Sequence, residues 1–456
     1  MALGLHELGI RVLLIDRHEV SIGGECLNSG CIPSKALIHA SKIVGNAIKA
    51  QKFGLSVRGK VSLSKVWEYV VSTQSTIRAH ENASYFRKKG LAVVIGEARF
   101  EGRRQVKVGD TVYTGKKITI ATGSSPKKLD VSGMELVAIY DNESIWNLPE
   151  LPKRVLFIGA GPINMELAHA LVRLGSEVQI VEQANALLTR EDPEISEVIY
   201  QQSKALGINF HFNTELLGFI DSNTALLQAD DEKFQLTLDI VVVGIGREIN
   251  FSGLNPEAAG IKIKEDGRLS TDEYQRTSNK NVLVIGDAAG GPQFSHGAEH
   301  QATILIKNLF SPIKQKVTYE NFSWVTFTEP EVATFGLNQH QLNRKGQKYH
   351  KLILPLDEDD RAVTDNYQYG KLILFIGKSK LPWSNPKLLG GSLVAPNAGE
   401  IIQELILAKT AGLGIKSLFD KIYPYPTASR INKTIVLHKY TGGITPWMKR
   451  ILRLFY

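Results

Sequence analysis

Apolar positions along the chain alternate between short continuous runs, the signature of buried strands, and longer stretches at helical spacing. The opening Met1–Gly9 reads as the end of a helix stopped by Gly9, and Arg11–Asp16 as the strand that follows. Residues 26–50 carry helical periodicity after a cysteine-bearing loop, and residues 63–90 predict one long amphipathic helix ending at Gly90. Residues 91–122 then switch to short β runs, closing at Gly123.

Pro149 and Pro152 interrupt both helix and sheet pairing, so 148–152 predicts a linker. Beyond it the pattern runs strand 154–158, helix 161–174, strand 177–181 and further strands up to Asp239–Gly244, an alternation expected of a βαβ unit. Val282–Asp287 predicts another buried strand, and from about 318 strands and helices mix. The segment Gly377–Lys387 reads as an exposed basic loop. In 431–456 there are no acids; Thr445-Pro446 offers a cap and first turn, after which Trp447, Met448, Ile451, Leu452 and Phe455 share one helical stripe. Such a tail suits either an anionic membrane interface or packing on its own domain or a dimer mate.

Composition narrows the function. The 456 residues are 43% hydrophobic and 22% charged, with a net charge of +8 that is too diffuse to imply nucleic acid. No apolar run approaches the roughly 20 residues of a membrane span, and the start lacks a signal pattern, so the expected location is cytoplasmic, with membrane association through the tail as the variant. Only two cysteines occur, Cys26 and Cys31, and no paired histidine spacing completes a metal site, so no metal ligands are assigned.

Two motifs carry chemistry. Gly159-Ala-Gly161-Pro-Ile-Asn164 follows a predicted strand and opens a helix, with Glu182 ending the next strand. Gly159 and Gly161 permit the tight turn and close approach of a pyrophosphate to the helix N-terminus, while Glu182 accepts from an adenosine ribose and repels a 2′-phosphate, favouring NADH over NADPH. Asn164 replaces the third small residue, whose role is close helix packing. In Gly23-Gly-Glu-Cys26-Leu-Asn-Ser-Gly-Cys31-Ile-Pro-Ser-Lys35, a cysteine pair sits where a helix N-terminus favours thiolate, an arrangement suited to redox cycling.

With these motifs, Ile118–Pro126, Val243–Arg247, Val284–Gly290 and Thr328–Val332, the chain resembles the pyridine nucleotide-disulfide oxidoreductases over nearly its whole length, and Tyr140–Ser144 looks closest to the mercuric reductase-like branch. The resemblance implies an α/β protein with two Rossmann-like nucleotide-binding domains, for FAD and NAD, and an α+β C-terminal dimerisation domain. The implied division is FAD domain 1–148, NAD domain 149–273, FAD-domain return 274–317, dimerisation domain 318–430 and basic amphipathic tail 431–456. Electrons would pass from NAD(P)H through flavin to a Cys26/Cys31 disulfide. Cys31 would be the thiolate against the flavin and Cys26 the exchanging thiol; Lys35 and Glu166 would pair near the flavin's reactive nitrogen. Asp16 would bond the FAD ribose and Asp287 the ribitol. Thr122, Gly123, Gly246 and Arg247 would line the cofactors. A homodimer completing its active sites across subunits is implied as well.

Against that family the chain departs at two places. The opening strand and glycine loop of the FAD domain are expected to be missing, because the chain starts partway along the following helix. Near the C-terminus Tyr423 stands at the acid/base histidine and Arg430 at its orienting glutamate, with His438 read as a lone surface residue. Tyrosine, titrating near about 10, is a poor proton shuttle at neutral pH. The absence of a C-terminal cysteine pair argues against mercury detoxification. A disulfide, a quinone, a metal species or a small oxidant remains as acceptor, alongside the alternatives of direct transfer from flavin and of an impaired nucleotide-binding protein.

Overall fold

The computed structural model describes residues 1–379, 384–444 and 446–455. The predicted cap at Thr445, part of the 377–387 loop, and the side chains of Ile451, Leu452 and Phe455 lie outside the described residues. A five-stranded, all-parallel sheet runs in the order 208–211, 177–181, 154–158, 240–243 and 139–140. Its central strand Arg154–Ile158 is buried on both faces, as its unbroken apolar run requires. The helix Pro162–Leu174 covers one face: Pro162 presets its first turn, Gly175 at φ 117° ends it, and Met165, Ala168 and Leu171 face the core. An antiparallel meander, 214–221, 224–229 and 232–237, is inserted before the strand Ile240–Val243.

In the N-terminal part and its return segment, parallel pairing joins Leu13–Asp16 to Ala92–Ile95, and separately Ile118–Ile120 to Val282–Val284. The helix Cys31–Lys49 connects the two halves by lying against Pro162–Leu174, where a Cβ on Gly45 would meet Arg173 Cδ at 3.1 Å. The C-terminal region is a five-stranded antiparallel sheet in the order 323–326, 331–336, 388–395, 371–377 and 349–355, backed by helices 403–410 and 431–442.

Four expectations need correction. The single helix over 63–90 is two, Leu63–Arg78 and Ala83–Lys88, because Asn82 caps the second by accepting from the Tyr85 N–H at 2.8 Å. The stretch 26–50 divides into Gly24–Asn28 and Cys31–Lys49: Gly30 donates back to Glu25 O at 2.7 Å in a turn where a Cβ would meet that oxygen at 3.0 Å. Ile139–Tyr140, ahead of the 148–152 linker, pairs with Val241 and Val242 and so joins the second unit's sheet. The tail is shorter than expected, since Ile431, Ile435 and Val436 bury a whole helical turn in the C-terminal core. Only Pro446–Phe455 forms a separate terminal helix, with Trp447 and Leu454 exposed. Among the described residues no helix is long and apolar enough to cross a membrane.

If helix 431–442 is core, Ile435→Ala, at a position 1% exposed, lowers the unfolding free energy by about 2–5 kcal/mol in urea titrations. Leu437→Ala, 41% exposed, changes it by less than about 0.5 kcal/mol.

Candidate active site

The cysteine loop is shaped from both ends. Gly23 adopts φ 97°, and a Cβ there would strike Leu27 Cδ2 at 2.5 Å. Asn28 donates to Gly24 O at 2.7 Å and accepts from Arg78, while Gln74 donates to the carbonyls of Leu27 and Asn28 at 2.9 Å. So held, Cys26 and Cys31 lie half-buried beside one another. The nearness of Cys26 pulls the Cys31 thiol into the acidic range against desolvation, helped by the Ser295 hydroxyl and the Lys35 charge. The same nearness, with burial, pushes Cys26 up, and the Ser295 hydroxyl opposes that rise. Both directions favour the negative charge on Cys31.

One turn beyond Cys31 on the same helix, Lys35 Nζ lies 2.7 Å from Glu166 Oε2. Glu166 comes from helix 162–174, and its other oxygen accepts the Phe327 N–H at 2.8 Å. Lys35 also sits 4.5 Å from the centre of the Phe327 ring. The Glu166 side chain is 9% exposed, so this pair is sheltered while Lys35 reaches the cleft.

A second polar knot surrounds Arg247, whose side chain is 10% exposed. It donates to Glu25 Oε2 at 2.6 Å, to Ser124 Oγ at 2.7 Å and to Ser124 O at 2.8 Å, with Asp287 Oδ2 at 3.7 Å. Ser124 in turn donates to Asp287 at 2.5 Å. Arg247 therefore meets Asp287 and the cysteine loop rather than the Gly159 turn. Glu25 was not singled out from sequence, although an acid between Gly24 and Cys26 is a visible signal; Asn142 donates to its other oxygen, and burial raises its carboxyl pKa against the Arg247 charge. Gly123 has φ 69°, with open space where a Cβ would stand, and the Thr122 hydroxyl donates to Asn250 O. Asp16 ends its strand with its carboxyl pKa raised by burial. Gly246, at φ 122°, likewise faces open space.

At the second motif, Gly159 at φ 95° lies so close to the next strand that a Cβ would meet Gly244 O at 2.7 Å, whereas Gly161 opens onto free space at the helix N-terminus. Asn164 earns its place differently from a glycine: it is buried, and its amide donates to Ile158 O and Gly159 O at 2.8 Å each. Its Oδ1 stands where a Cβ on Gly244 would fall, 2.4 Å away, so Gly244 makes room for it. Glu182 accepts from the N–H groups of Ala160 and Ala184 at 2.7 and 2.8 Å. Beside it lies a cavity of about 290 Å³ lined by Gln183, Asn213, Thr214, Glu215, Gln228 and Asp230, none of them cationic.

Tyr423 is held elsewhere in the same chain. Its hydroxyl donates to Glu404 Oε1 at 2.8 Å, an oxygen that also accepts from Asn432 at 2.6 Å, and Lys421 pairs with the same carboxylate. Burial, then Glu404, drives the Tyr423 pKa upward. Arg430 lies 3.8 Å from Asp360 and over the Tyr425 ring, and His438 is exposed.

Residues 1–302 match the family model "Pyridine nucleotide-disulphide oxidoreductase" and residues 322–435 its dimerisation domain. The chain is 32% identical to a mercuric reductase of Staphylococcus aureus, over 93% of this chain and 77% of that one. It is 30% identical to a dihydrolipoyl dehydrogenase of Buchnera aphidicola, covering 93% and 89%. Among solved structures it is similar to the HOCl-induced flavoprotein disulfide reductase RclA of Escherichia coli, with a TM-score of 0.84, 25% identity and 96% of both chains covered; the Cu(II) complex of that protein gives 0.82 and 26%, over 96% and 95%.

The Asn164 bonds predict that Asn164→Leu, similar in volume but without a donor, destabilises the fold by about 1–3 kcal/mol by taking the donor from Gly159 O, while Ile158 O keeps the Gly244 N–H at 3.0 Å. Chemical denaturation checks this.

Proposed function

The chain belongs to the pyridine nucleotide-disulphide oxidoreductases, as a FAD-dependent NAD(P)H disulfide oxidoreductase that forms a homodimer, and from that premise we propose the path of its electrons and the acceptor that takes them. NADH binds at the Gly159–Gly161 turn, its pyrophosphate on the N-terminus of helix 162–174 and its adenosine ribose on Glu182. The open face of Gly161 and the cation-free cavity beside Glu182 support this choice over NADPH. Asp16, Asp287 and the open turn at Thr122 and Gly123 fit the ribose, ribitol and backbone contacts of FAD, with Gly246 and Arg247 closing the nicotinamide side. Bound FAD supplies the two-electron exchange between nicotinamide and sulfur; the protein supplies position and charge. Lys35, fixed by Glu166, holds a positive charge where reduction of the ring places negative charge. Cys31 serves as the inner thiolate and Cys26 as the outer thiol that meets the acceptor.

The acceptor is an oxidised, thiol-reactive metal ion such as Cu(II), which takes electrons without taking a proton. The observation that carries this is Tyr423: it stands at the acid/base histidine of the family, and its hydroxyl is committed to Glu404 and stays protonated through the neutral range. Thiol products of a disulfide substrate need proton delivery that this group cannot give. The Cu(II)-bound form of the similar RclA supports the same class. In the step itself, two Cu(II) ions each accept one electron from the reduced pair, Cys26 and Cys31 join as a disulfide, and the Cys26 proton passes to water.

Steady-state assays test this. NADH-dependent Cu(II) reduction exceeds turnover of lipoamide or glutathione disulfide, and Cys26→Ser lowers it at least about tenfold. Undiminished Cu(II) reduction by Cys26→Ser would mean that electrons leave the flavin directly, and faster lipoamide turnover would refute the acceptor. For the nucleotide, kcat/KM for NADH exceeds that for NADPH by at least about tenfold, and Glu182→Ala narrows the ratio; equal use of both by the unmodified enzyme contradicts the Glu182 assignment.

A further inference from the structure

Helix Ser295–Phe310 brings a hydroxyl to the sulfur pair from 264 residues away: Ser295 Oγ lies 3.4 Å from Cys31 Sγ. Four contacts fix this end of the helix. The His296 ring stacks on Phe322 with centroids 4.6 Å apart, and its Nε2–H donates to Ser323 O at 2.7 Å. Gln301, 1% exposed, accepts from the Gly286 N–H and donates to the Tyr319 hydroxyl, both at 2.6 Å, tying the helix to the turn that carries Asp287. The strand Ser323–Thr326 that receives His296 runs directly into Phe327, whose N–H holds Glu166. Ser295 and Lys35 are therefore mounted on one frame.

We propose that the Ser295 hydroxyl is a catalytic hydrogen-bond donor to the Cys31 thiolate, keeping the negative charge on that sulfur and the single proton of the reduced pair on Cys26. The groups facing Cys31 are Cys26 from the short helix 24–28, Lys35 from its own helix, Glu166 from helix 162–174 and Ser295 from helix 295–310; Ser295 bears on Cys26 as well, but it is the Cys31 sulfur that lies at 3.4 Å from its hydroxyl. Lys35 is shared with Glu166, so its charge is partly spent there. Ser295 is neutral and adds a donor without a competing counter-ion. When an acceptor removes two electrons, the sulfur–sulfur bond forms, the proton leaves from Cys26, and Ser295 keeps its own. The proposal rests on the pair being the redox centre and makes no use of the acceptor's identity.

Because the chain has only two cysteines, Cys26→Ser leaves Cys31 as the sole thiol, and ultraviolet thiolate absorbance of the full chain against pH titrates it alone. Adding Ser295→Ala raises the midpoint by about one pH unit, the loss expected for one hydrogen bond to a charged acceptor, and Ser295→Thr restores it. Should alanine perturb folding, Ser295→Val against Ser295→Thr repeats the comparison at matched shape. A midpoint unmoved within about 0.2 units, or moved down, in the hydroxyl-free variants overturns the proposal. The titration needs neither flavin nor metal, so a failure of the Cu(II) assignment in the kinetic assays leaves this result standing, and the reverse.

Discussion

Glu166 is the group on which the arrangement of the cleft depends. One oxygen takes the Lys35 ammonium from the helix that begins at Cys31, and the other takes the Phe327 N–H from the C-terminal region. A single carboxylate on helix 162–174 thereby joins all three parts of the chain within hydrogen-bond reach of each other. Such a sheltered pair contributes little net stability, since both charges give up hydration. Its effect is geometric: removing either partner strands a charge, and the sulfur helix loses its register against Pro162–Leu174.

Legibility followed sequence distance. The cysteine pair, the glycine turn and Glu182 are local patterns whose chemistry is written within about twenty residues, and Lys35 sits one helical turn from Cys31. Ser295, 264 residues from its sulfur, has no local signature, nor does the pairing of Ile139–Tyr140 with Val241 and Val242. The break at 79–82 turns on one side chain: the Asn82 amide donates to Arg78 O at the end of the first helix, and its oxygen accepts the Tyr85 N–H at the start of the second. Helix 431–442 carries two lysines, Lys433 and Lys439, and the remaining cations of the tail lie beyond it in 446–455, while Ile431, Ile435 and Val436 are spaced to bury one face.

Two departures from the family pattern have different physical standing. Asn164 is accommodated: its amide donates to Ile158 O and Gly159 O, and Gly244 leaves the volume its side chain needs, although its Oδ1 is buried without a partner. Tyr423 is held by the Glu404 carboxylate, which Asn432 and Lys421 hold in turn, so its hydroxyl keeps its proton.

The contrast between sheltered and surface ion pairs has a bearing on ionic strength. Arg17–Glu97 and Lys65–Glu68 are well over half exposed and weaken as counter-ions crowd around them. The Arg247 link to Glu25 admits few mobile ions, with only 10% of the guanidinium side chain exposed. Molar salt therefore loosens the periphery first and weakens the link between the thiol loop and the Asp287 turn less, since Arg247 is 10% and Glu25 33% exposed.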